Sequence, residues 1–188
     1  MGLSRNIVSC IIVGDGMVGK TCLAKKFCGQ EIADNYVATI MDTFTGTVSA
    51  YGQKYTINIK DTAGQFEDSE MREMVYKESN VCVICYSVLD RDSMESVKSL
   101  WVPEIKNFSK KVPIVLVATQ SDLREKDNTD HIDRAEGLKL AKELGIEQFV
   151  ETSSFKNDGV KEAFETVVKA LVMNKKRKAK WLKPVFGP

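Results

Sequence analysis

Short apolar runs alternate along the chain with longer segments whose apolar residues recur at helical spacing. The apolar runs predict strands at 7–13, 44–50, 54–60, 81–88, 113–119 and 147–151. Helical periodicity predicts helices at 19–28, about 92–108, 133–144 and 158–173. This alternation indicates an α/β fold with a mainly parallel sheet and right-handed crossovers. The second and third strands are close enough to form a hairpin around Gly52, which supplies one antiparallel edge strand.

Composition and charge are those of a single globular domain. The 188 residues are 43% hydrophobic, which is enough for a packed core. No apolar run approaches the roughly 20 residues that a membrane-spanning helix needs, and the first residues do not form a secretory signal. The five cysteines are an odd number and four lie in or beside apolar runs, so we expect reduced thiols in a cytoplasmic protein. Strand alternation should place Cys82 and Cys85 on opposite faces, which argues against a redox or zinc site.

A glycine-rich sequence, GDGMVGKT, follows the first predicted strand and spans Gly14 to Thr21. It matches the phosphate loop G-x-x-x-x-G-K-[ST] in its required context, between a strand and a helix. Glycines let the backbone wrap around phosphate oxygens, to which N–H groups donate at the helix N-terminus. Lys20 is expected to contact the β- and γ-phosphates, and the hydroxyl of Thr21 to bind Mg²⁺. This motif alone does not distinguish GTP from ATP.

Four further segments resemble the Ras superfamily of small GTPases, most closely its Rho/Rac branch. In chain order they are YVATIMD at 36–42, DTAGQ at 61–65, TQSD at 119–122 and ETSS at 151–154. LWVPEI at 100–105 resembles the W-x-P-E motif of the Rho branch. The resemblance implies the P-loop NTPase fold of small G proteins, with about six strands and five helices in a domain at 1–173. The stretch after Leu123 is too short for the extra helix typical of Rho proteins, so membership of that branch stays open.

The resemblance implies a GTP/GDP site at the carboxyl ends of the strands, where ligands bind in such sheets. Asp122 would accept two hydrogen bonds from guanine, and sites of this kind reject an analogue that lacks them by about 10⁴–10⁵-fold. The implied nucleotide-binding residues are Gly14, Asp15, Gly16, Met17, Val18, Gly19, Lys20, Thr21, Cys22, Ile32, Tyr36, Thr39, Asp61, Ala63, Gly64, Thr119, Gln120, Asp122, Leu123, Ser153, Ser154 and Phe155.

Hydrolysis of GTP to GDP and phosphate is the implied reaction. Mg²⁺ would be held by Thr21, by Thr39 and, through water, by Asp61. The implied catalytic residues are Gln65, which orients the attacking water, together with Lys20, Thr39 and Gly16. No arginine is an obvious finger residue, so intrinsic hydrolysis should be slow. An arginine from a GTPase-activating protein should accelerate it by about 10³–10⁵-fold.

The base pocket departs from the family pattern at three positions. Ile32 replaces an aromatic residue that stacks on guanine, Gln120 replaces a lysine, and Phe155 ends an altered final loop. Base–aromatic stacking is worth about 1–3 kcal/mol, so its loss predicts nucleotide release that is about 5- to 150-fold faster. The alternative is that Phe155 or neighbouring apolar groups fill the pocket. Departures that bear on partners are Ala38, Lys60, Phe66 and Asp68.

A basic tail follows a domain of opposite charge. Residues 1–173 have a formal charge of −5, whereas 174–188 carry six cations and no acid. Three interpretations stay open for the tail: a disordered solvated segment, a contact with an anionic membrane through 175–183, and a nuclear-import signal. No cysteine follows Cys85, so we expect no prenylation at the C-terminus of the chain as given.

Partners should bind the two switch segments. Effectors are expected at switch I (Tyr36 to Phe44) and switch II (Gly64 to Tyr76), with an activating protein, an exchange factor and no nucleic acid. A cycling switch in intracellular signalling and a GTP-bound scaffold with little hydrolysis both stay open, and the retained residues Gly16, Thr39 and Gln65 favour cycling. A kinase that uses ATP would need a lid and an acceptor site, for which this chain is too short.

Overall fold

The computed structural model of the protein describes residues 6–32, 41–62 and 69–181, without the side chains of 69–72 and 180–181. Its strands are β1 (Ile7–Val13), β2 (Met41–Ala50), β3 (Gln53–Thr62), β4 (Val81–Ser87), β5 (Ile114–Thr119) and β6 (Gln148–Glu151). They form one sheet in the order β2-β3-β1-β4-β5-β6. Only the β2–β3 pair is antiparallel among these strands, which confirms the predicted sheet.

The β2–β3 hairpin is longer than the apolar pattern predicted. Its ladder runs from the pair Ala50–Gln53 to the pair Met41–Thr62, so it extends by three residues at the start of β2 and by two at the end of β3. The extra length brings Asp61 into the sheet, where it pairs with Ile12 of β1. A pattern of apolar residues does not predict polar residues at the end of a strand, because these are held in the sheet by backbone hydrogen bonds.

Helices cover both faces of the sheet. They are α1 (Lys20–Phe27), α2 (Ser69–Glu78), α3 (Arg91–Ser96), a π-helical turn (Val97–Trp101), α4 (Val102–Phe108), a 3₁₀ turn (Ser121–Leu123), α5 (Arg134–Leu144) and α6 (Val160–Trp181). Because α3, the π turn and α4 are continuous, the described residues contain five longer helical segments, as the family resemblance implied. The apolar pattern did not predict α2, since Val75 and Tyr76 are its only described core residues.

Helix α6 continues eight residues past its predicted end at 173. The expectation that 174–188 is a disordered tail is therefore wrong for 174–181, while 182–188 lie outside the described residues. Lys, Arg and Ala are good helix formers, and cations in the last turns interact favourably with the helix dipole. Asn174 donates from Nδ2 to the Lys111 carbonyl at 2.9 Å, and Arg177 pairs with Glu147 at 2.6 Å, which fixes the helix to the domain.

Two hydrophobic clusters lie on opposite faces of the sheet. On one face α1 and α6 pack through side chains such as Leu23 and Phe164. On the other face α2, the 91–108 segment and α5 pack through Trp101 and Leu140. This sandwich holds the carboxyl ends of β1, β4, β5 and β6 at one edge, where the polar segments identified in the sequence meet.

The buried cysteines are inert thiols. Cys82 and Cys85 belong to the clusters on opposite faces of the sheet, as strand alternation predicted. Burial raises the pKa of Cys85 to about 12 and that of Cys82 well above its ordinary value, so both stay protonated near neutral pH. The described part of the chain has no cluster of three or more His, Cys, Asp or Glu side chains arranged for a metal ion. None of its helices has the length and apolar character needed to cross a membrane.

Candidate functional site

The phosphate loop connects β1 to α1 through backbone that only glycine tolerates. Gly14 has φ 141°, and a Cβ built there would lie 2.2 Å from the carbonyl oxygen of Cys85 on β4. Gly19, with φ 85°, is the N-cap of α1, and no side chain caps that end of the helix. A glycine N-cap has no side chain to bond the first N–H groups of α1, and a helix N-terminus suits an anion such as phosphate.

Lys20 is held beneath this loop. Its Nζ donates to the carbonyl oxygens of Gly14 at 2.9 Å and Asp15 at 2.6 Å. Burial lowers the pKa of Lys20, and the nearby groups of Cys85, Asp61 and Asp15 oppose that shift. Among the described residues Lys20 forms no ion pair within 4 Å, and a buried cation of this kind gains strongly from an anionic ligand, so the position of Lys20 favours phosphate binding.

Thr21 and Asp61 form a polar pair beside the loop. The Thr21 hydroxyl donates to Asp61 Oδ2 at 2.6 Å. Asp61 Oδ1 is buried and has no hydrogen-bond partner among the described residues. Burial raises the pKa of Asp61, against the effects of the Thr21 hydrogen bond and the Lys20 charge. A hydroxyl beside an unsatisfied carboxylate oxygen fits Mg²⁺, which prefers oxygen ligands and reaches carboxylates directly or through water.

Residues of the TQSD segment lie at the end of β5, next to the phosphate loop. Thr119 is buried, and its hydroxyl lies 2.5 Å from the Val18 carbonyl oxygen and 2.9 Å from that of Tyr86. The Ser87 hydroxyl donates to Gln120 Oε1, and Gln120 has a left-handed backbone with φ 60°. Thr119 therefore joins the TQSD segment to the phosphate loop by a hydrogen bond, which the sequence did not reveal.

Asp122 is available to a ligand. It lies in the 3₁₀ turn Ser121–Leu123, is half-buried, and makes no hydrogen bond through its carboxylate to the described residues. Ser121 N–H donates to the Thr152 carbonyl at 3.1 Å, and Thr152 N–H donates to the Ala118 carbonyl at 2.7 Å. These backbone bonds hold the TQSD and ETSS segments together.

The final loop, at 152–159, is closed by its own backbone. Ser153 and Asp158 exchange two N–H···O bonds of 2.9 Å, and the Lys156 N–H donates to Ser153 Oγ at 2.9 Å. Gly159, with φ 67°, allows the turn into α6, since a Cβ there would lie 2.1 Å from the Glu151 carbonyl oxygen. Phe155 at the tip of the loop is 84% exposed.

A phosphate loop, a Thr–Asp pair suited to Mg²⁺ and an unpaired carboxylate thus meet at one sheet edge, in the order of the sequence motifs. The family model of the Ras family matches residues 9–173. This chain belongs to the Ras family of small GTPases. A curated relative, the Ras-like GTP-binding protein RhoL of Drosophila melanogaster, is 37% identical over 169 residues, which cover 90% of this chain and 89% of the relative.

Ras-family proteins bind GTP and GDP, hydrolyse GTP and act as switches. The structure brings together Gly14, Asp15, Gly16, Met17, Val18, Gly19, Lys20, Thr21, Cys22, Asp61, Thr119, Gln120, Asp122, Leu123, Ser153 and Ser154 at the carboxyl edge or directly beside it. Ile32 is half-buried after α1. Tyr36, Thr39, Ala63, Gly64 and Gln65 lie outside the described residues.

Sequence reasoning missed one residue of this small-GTPase site. Trp101 Nε1 donates to Asp15 Oδ1 at 2.7 Å, so a helix on one face of the sheet reaches the phosphate loop. Trp101 is part of the LWVPEI segment, which the sequence analysis used only to indicate a branch of the family. A tryptophan inside an apolar helix face predicts a core residue, and nothing local indicates that its N–H reaches a partner 86 positions away.

Proposed function

We propose that this Ras-family protein is a GTP/GDP switch in intracellular signalling, with slow intrinsic hydrolysis, fast nucleotide exchange and Mg²⁺ held by Thr21, by Thr39 and, through water, by Asp61. The observation that carries fast exchange is the altered base site. Ile32 offers no aromatic face, the amide oxygen of Gln120 accepts from Ser87, and Phe155 points to solvent. Loss of about 1–3 kcal/mol of base stacking corresponds to release that is about 5- to 150-fold faster.

The exposure of Phe155 also bears on the alternative that this ring fills the base pocket. At 84% exposure, the ring forms no packed platform with the described residues. A ring that moved onto guanine would have to leave solvent and restrain the loop that Ser153 and Asp158 close. We therefore assign the altered pocket to faster release.

Release of a fluorescent GDP analogue in the presence of Mg²⁺ tests this proposal. Ile32→Phe should restore a stacking surface and slow release by about 5-fold or more, the lower end of the stacking estimate. Leu138→Phe is the matched control, because Leu138 is an exposed apolar residue on α5, away from the nucleotide site. A wild-type half-life of hours, or equal rates for Ile32→Phe and the wild type, would contradict fast exchange.

Slow intrinsic hydrolysis is supported by the arginines. Each arginine with a described side chain pairs with a glutamate rather than with the phosphate loop: Arg91 with Glu136, Arg124 and Arg134 with Glu151, and Arg177 with Glu147. Without an arginine at the γ-phosphate, hydrolysis lacks a contribution of about 10³–10⁵-fold. Single-turnover phosphate release should therefore be slow but complete. Release of no phosphate after prolonged incubation would instead support the GTP-bound scaffold.

Partners should bind where the family binds effectors, activating proteins and exchange factors. We assign effectors to switch I (Tyr36 to Phe44) and switch II (Gly64 to Tyr76). Gly16 is exposed, and no described atom lies within 4 Å of a Cβ built there, which leaves room for a partner's arginine. Lys60 pairs with Glu78 at 2.5 Å between β3 and α2, and this altered surface favours an exchange factor different from those of Rac or Rho.

The end of α6 is our candidate for contact with an anionic membrane. Lys175, Lys176, Arg177 and Lys178 are exposed on the helix, and each contributes about 1 kcal/mol near an anionic leaflet. The protein would then be cytoplasmic with a peripheral membrane fraction. Reversing the charge of Lys175 and Lys176 to Glu should abolish sedimentation with phosphatidylserine vesicles, and Lys161→Glu at the other end of α6 is the control. Absence of binding at low salt would favour a solvated end of α6 without a membrane role, and accumulation of the wild type in the nucleus would favour the import signal.

A further inference from the structure

The helical segment 91–108 contains a widened turn at the point where it passes the phosphate loop. Val97–Trp101 form a π-helical turn, and the Val102 N–H donates to the Val97 carbonyl, five residues earlier. Pro103 follows at the start of α4, where its missing N–H cannot continue the regular hydrogen-bond pattern. Single π turns of this kind are frequent at functional sites.

This turn directs Trp101 at the phosphate loop. Its side chain is buried, at 2% exposure, and Nε1 donates to Asp15 Oδ1 at 2.7 Å. A hydrogen bond from a neutral N–H to a carboxylate is stronger than one between neutral groups. The backbone carbonyl of the same Asp15 accepts from Lys20 at 2.6 Å. Trp101 therefore fixes the residue that also positions the phosphate-binding lysine.

One helical turn later, the same segment contacts α2. Glu104 Oε1 accepts from the hydroxyl of Tyr76 at 2.7 Å, and Tyr76 is fully buried. Trp101 and Glu104 are three positions apart, so they project from neighbouring positions on one side of the helix. A single rigid segment thus joins the phosphate loop to the last residue of switch II.

We propose that Trp101 and Glu104 brace the phosphate loop against α2, with Trp101 as a positioning residue that acts on the nucleotide through Asp15. A partner that displaces α2 would then loosen the phosphate loop through this brace. The inference rests on guanine-nucleotide binding at the phosphate loop and adds the route by which switch II controls nucleotide retention.

Release of a fluorescent GDP analogue from the full chain tests the brace. Trp101→Phe keeps a buried ring but removes the N–H donor, and it should speed release by about 10-fold, as expected for a lost hydrogen bond to a charged group. Ile105→Val is the matched control, because Ile105 is buried on the same segment and its aliphatic side chain has no hydrogen-bond donor to lose. It should change the melting temperature but leave the release rate within twofold of the wild type.

A double-mutant cycle separates positioning from a general loss of stability. In the Asp15→Ala background, Trp101→Phe should cause no further increase in the release rate, because Trp101 acts through Asp15. Tyr76→Phe should speed release by about 3- to 5-fold in the wild type but not in the Trp101→Phe background. Multiplicative effects of Trp101→Phe and Asp15→Ala, or an unchanged rate for Trp101→Phe, would overturn the brace.

Hydrogen exchange of the indole N–H provides a measurement that does not depend on the Trp101→Phe variant being folded or on nucleotide release. The Trp101 signal should be protected in the wild-type protein and lose protection in Asp15→Ala. Equal exchange in the two proteins would overturn the inference. A protein that bound no guanine nucleotide but kept this protection would contradict the proposed function and leave the Trp101–Asp15 contact established.

Discussion

Gly14→Ala tests most directly how the phosphate loop is built. An alanine Cβ at this position would lie 2.2 Å from the Cys85 carbonyl oxygen, although Cβ contacts shorter than 3.0 Å essentially do not occur. The two backbones would have to separate by at least 0.8 Å, the difference between these distances. That movement would separate the carboxyl ends of β1 and β4, which are paired in register at Val13 and Ile84.

The size of the effect follows from two costs. Overpacking against a neighbouring backbone costs about 1–3 kcal/mol, and a φ of 141° strains a residue with a Cβ by about 1–3 kcal/mol. Together they give about 2–6 kcal/mol, a large part of the 5–15 kcal/mol that stabilises a typical domain. For a chain of this size, each kcal/mol lowers the melting temperature by about 2–4 °C, so Gly14→Ala should lower it by about 4–24 °C.

Thermal unfolding followed by circular dichroism, with GDP present and absent, is the assay. Gly16→Ala is the matched control, because Gly16 has no described atom within 4 Å of a built Cβ and no positive φ. The control should unfold within about 2 °C of the wild type, the shift expected for a surface change of about 0.5 kcal/mol. If Gly14→Ala also unfolded within that range, the close approach of this loop to β4 would not limit the residue at position 14.

Three further variants test other parts of the site. Thr119→Val removes the hydroxyl shared by the Val18 and Tyr86 carbonyls and should lower the free energy of unfolding by about 1–3 kcal/mol in urea, whereas Thr47→Val on exposed β2 should have no such effect. Asp61→Asn tests how the protonation of Asp61 is coupled to folding. Burial raises the pKa of Asp61, so the folded protein binds this proton more tightly than the unfolded chain does. The resulting contribution to stability is present below the ordinary pKa of aspartate and is lost as pH rises through the raised value. Without Mg²⁺ and nucleotide, Asp61→Asn should therefore raise the melting temperature at pH 7 by about 2–4 °C and make the melting temperature depend less on pH in the acid range. A melting temperature with the same pH dependence as the wild type would show that Asp61 is not the group responsible. Lys20→Met should abolish GDP binding measured by calorimetry while the nucleotide-free domain stays folded, because it removes a buried cation; retained nanomolar binding would refute the role of Lys20.

The sequence by itself determined the sheet, the phosphate loop and the order of the motifs. Apolar runs and helical spacing are local properties, so strands such as β1 and β4 and helices such as α5 could be predicted within a residue or two. The need for glycine at 14 and 19 could also be predicted, because a loop that wraps phosphate must tolerate positive φ and close backbone approach. The two ends of the hairpin and the extent of α6 were misjudged, because polar residues there are held by backbone pairing or helix propensity.

Only the tertiary structure decided how the segments act on each other. Thr119 reaches Val18 across 101 positions and Trp101 reaches Asp15 across 86, and neither contact has a local signature. That Asp61 Oδ1 and the Asp122 carboxylate have no hydrogen-bond partner among the described residues likewise depends on which side chains the packed helices and strands place nearby. Periodicity determines which face of an element is buried, whereas the donor that meets a given acceptor is fixed only when the elements pack together.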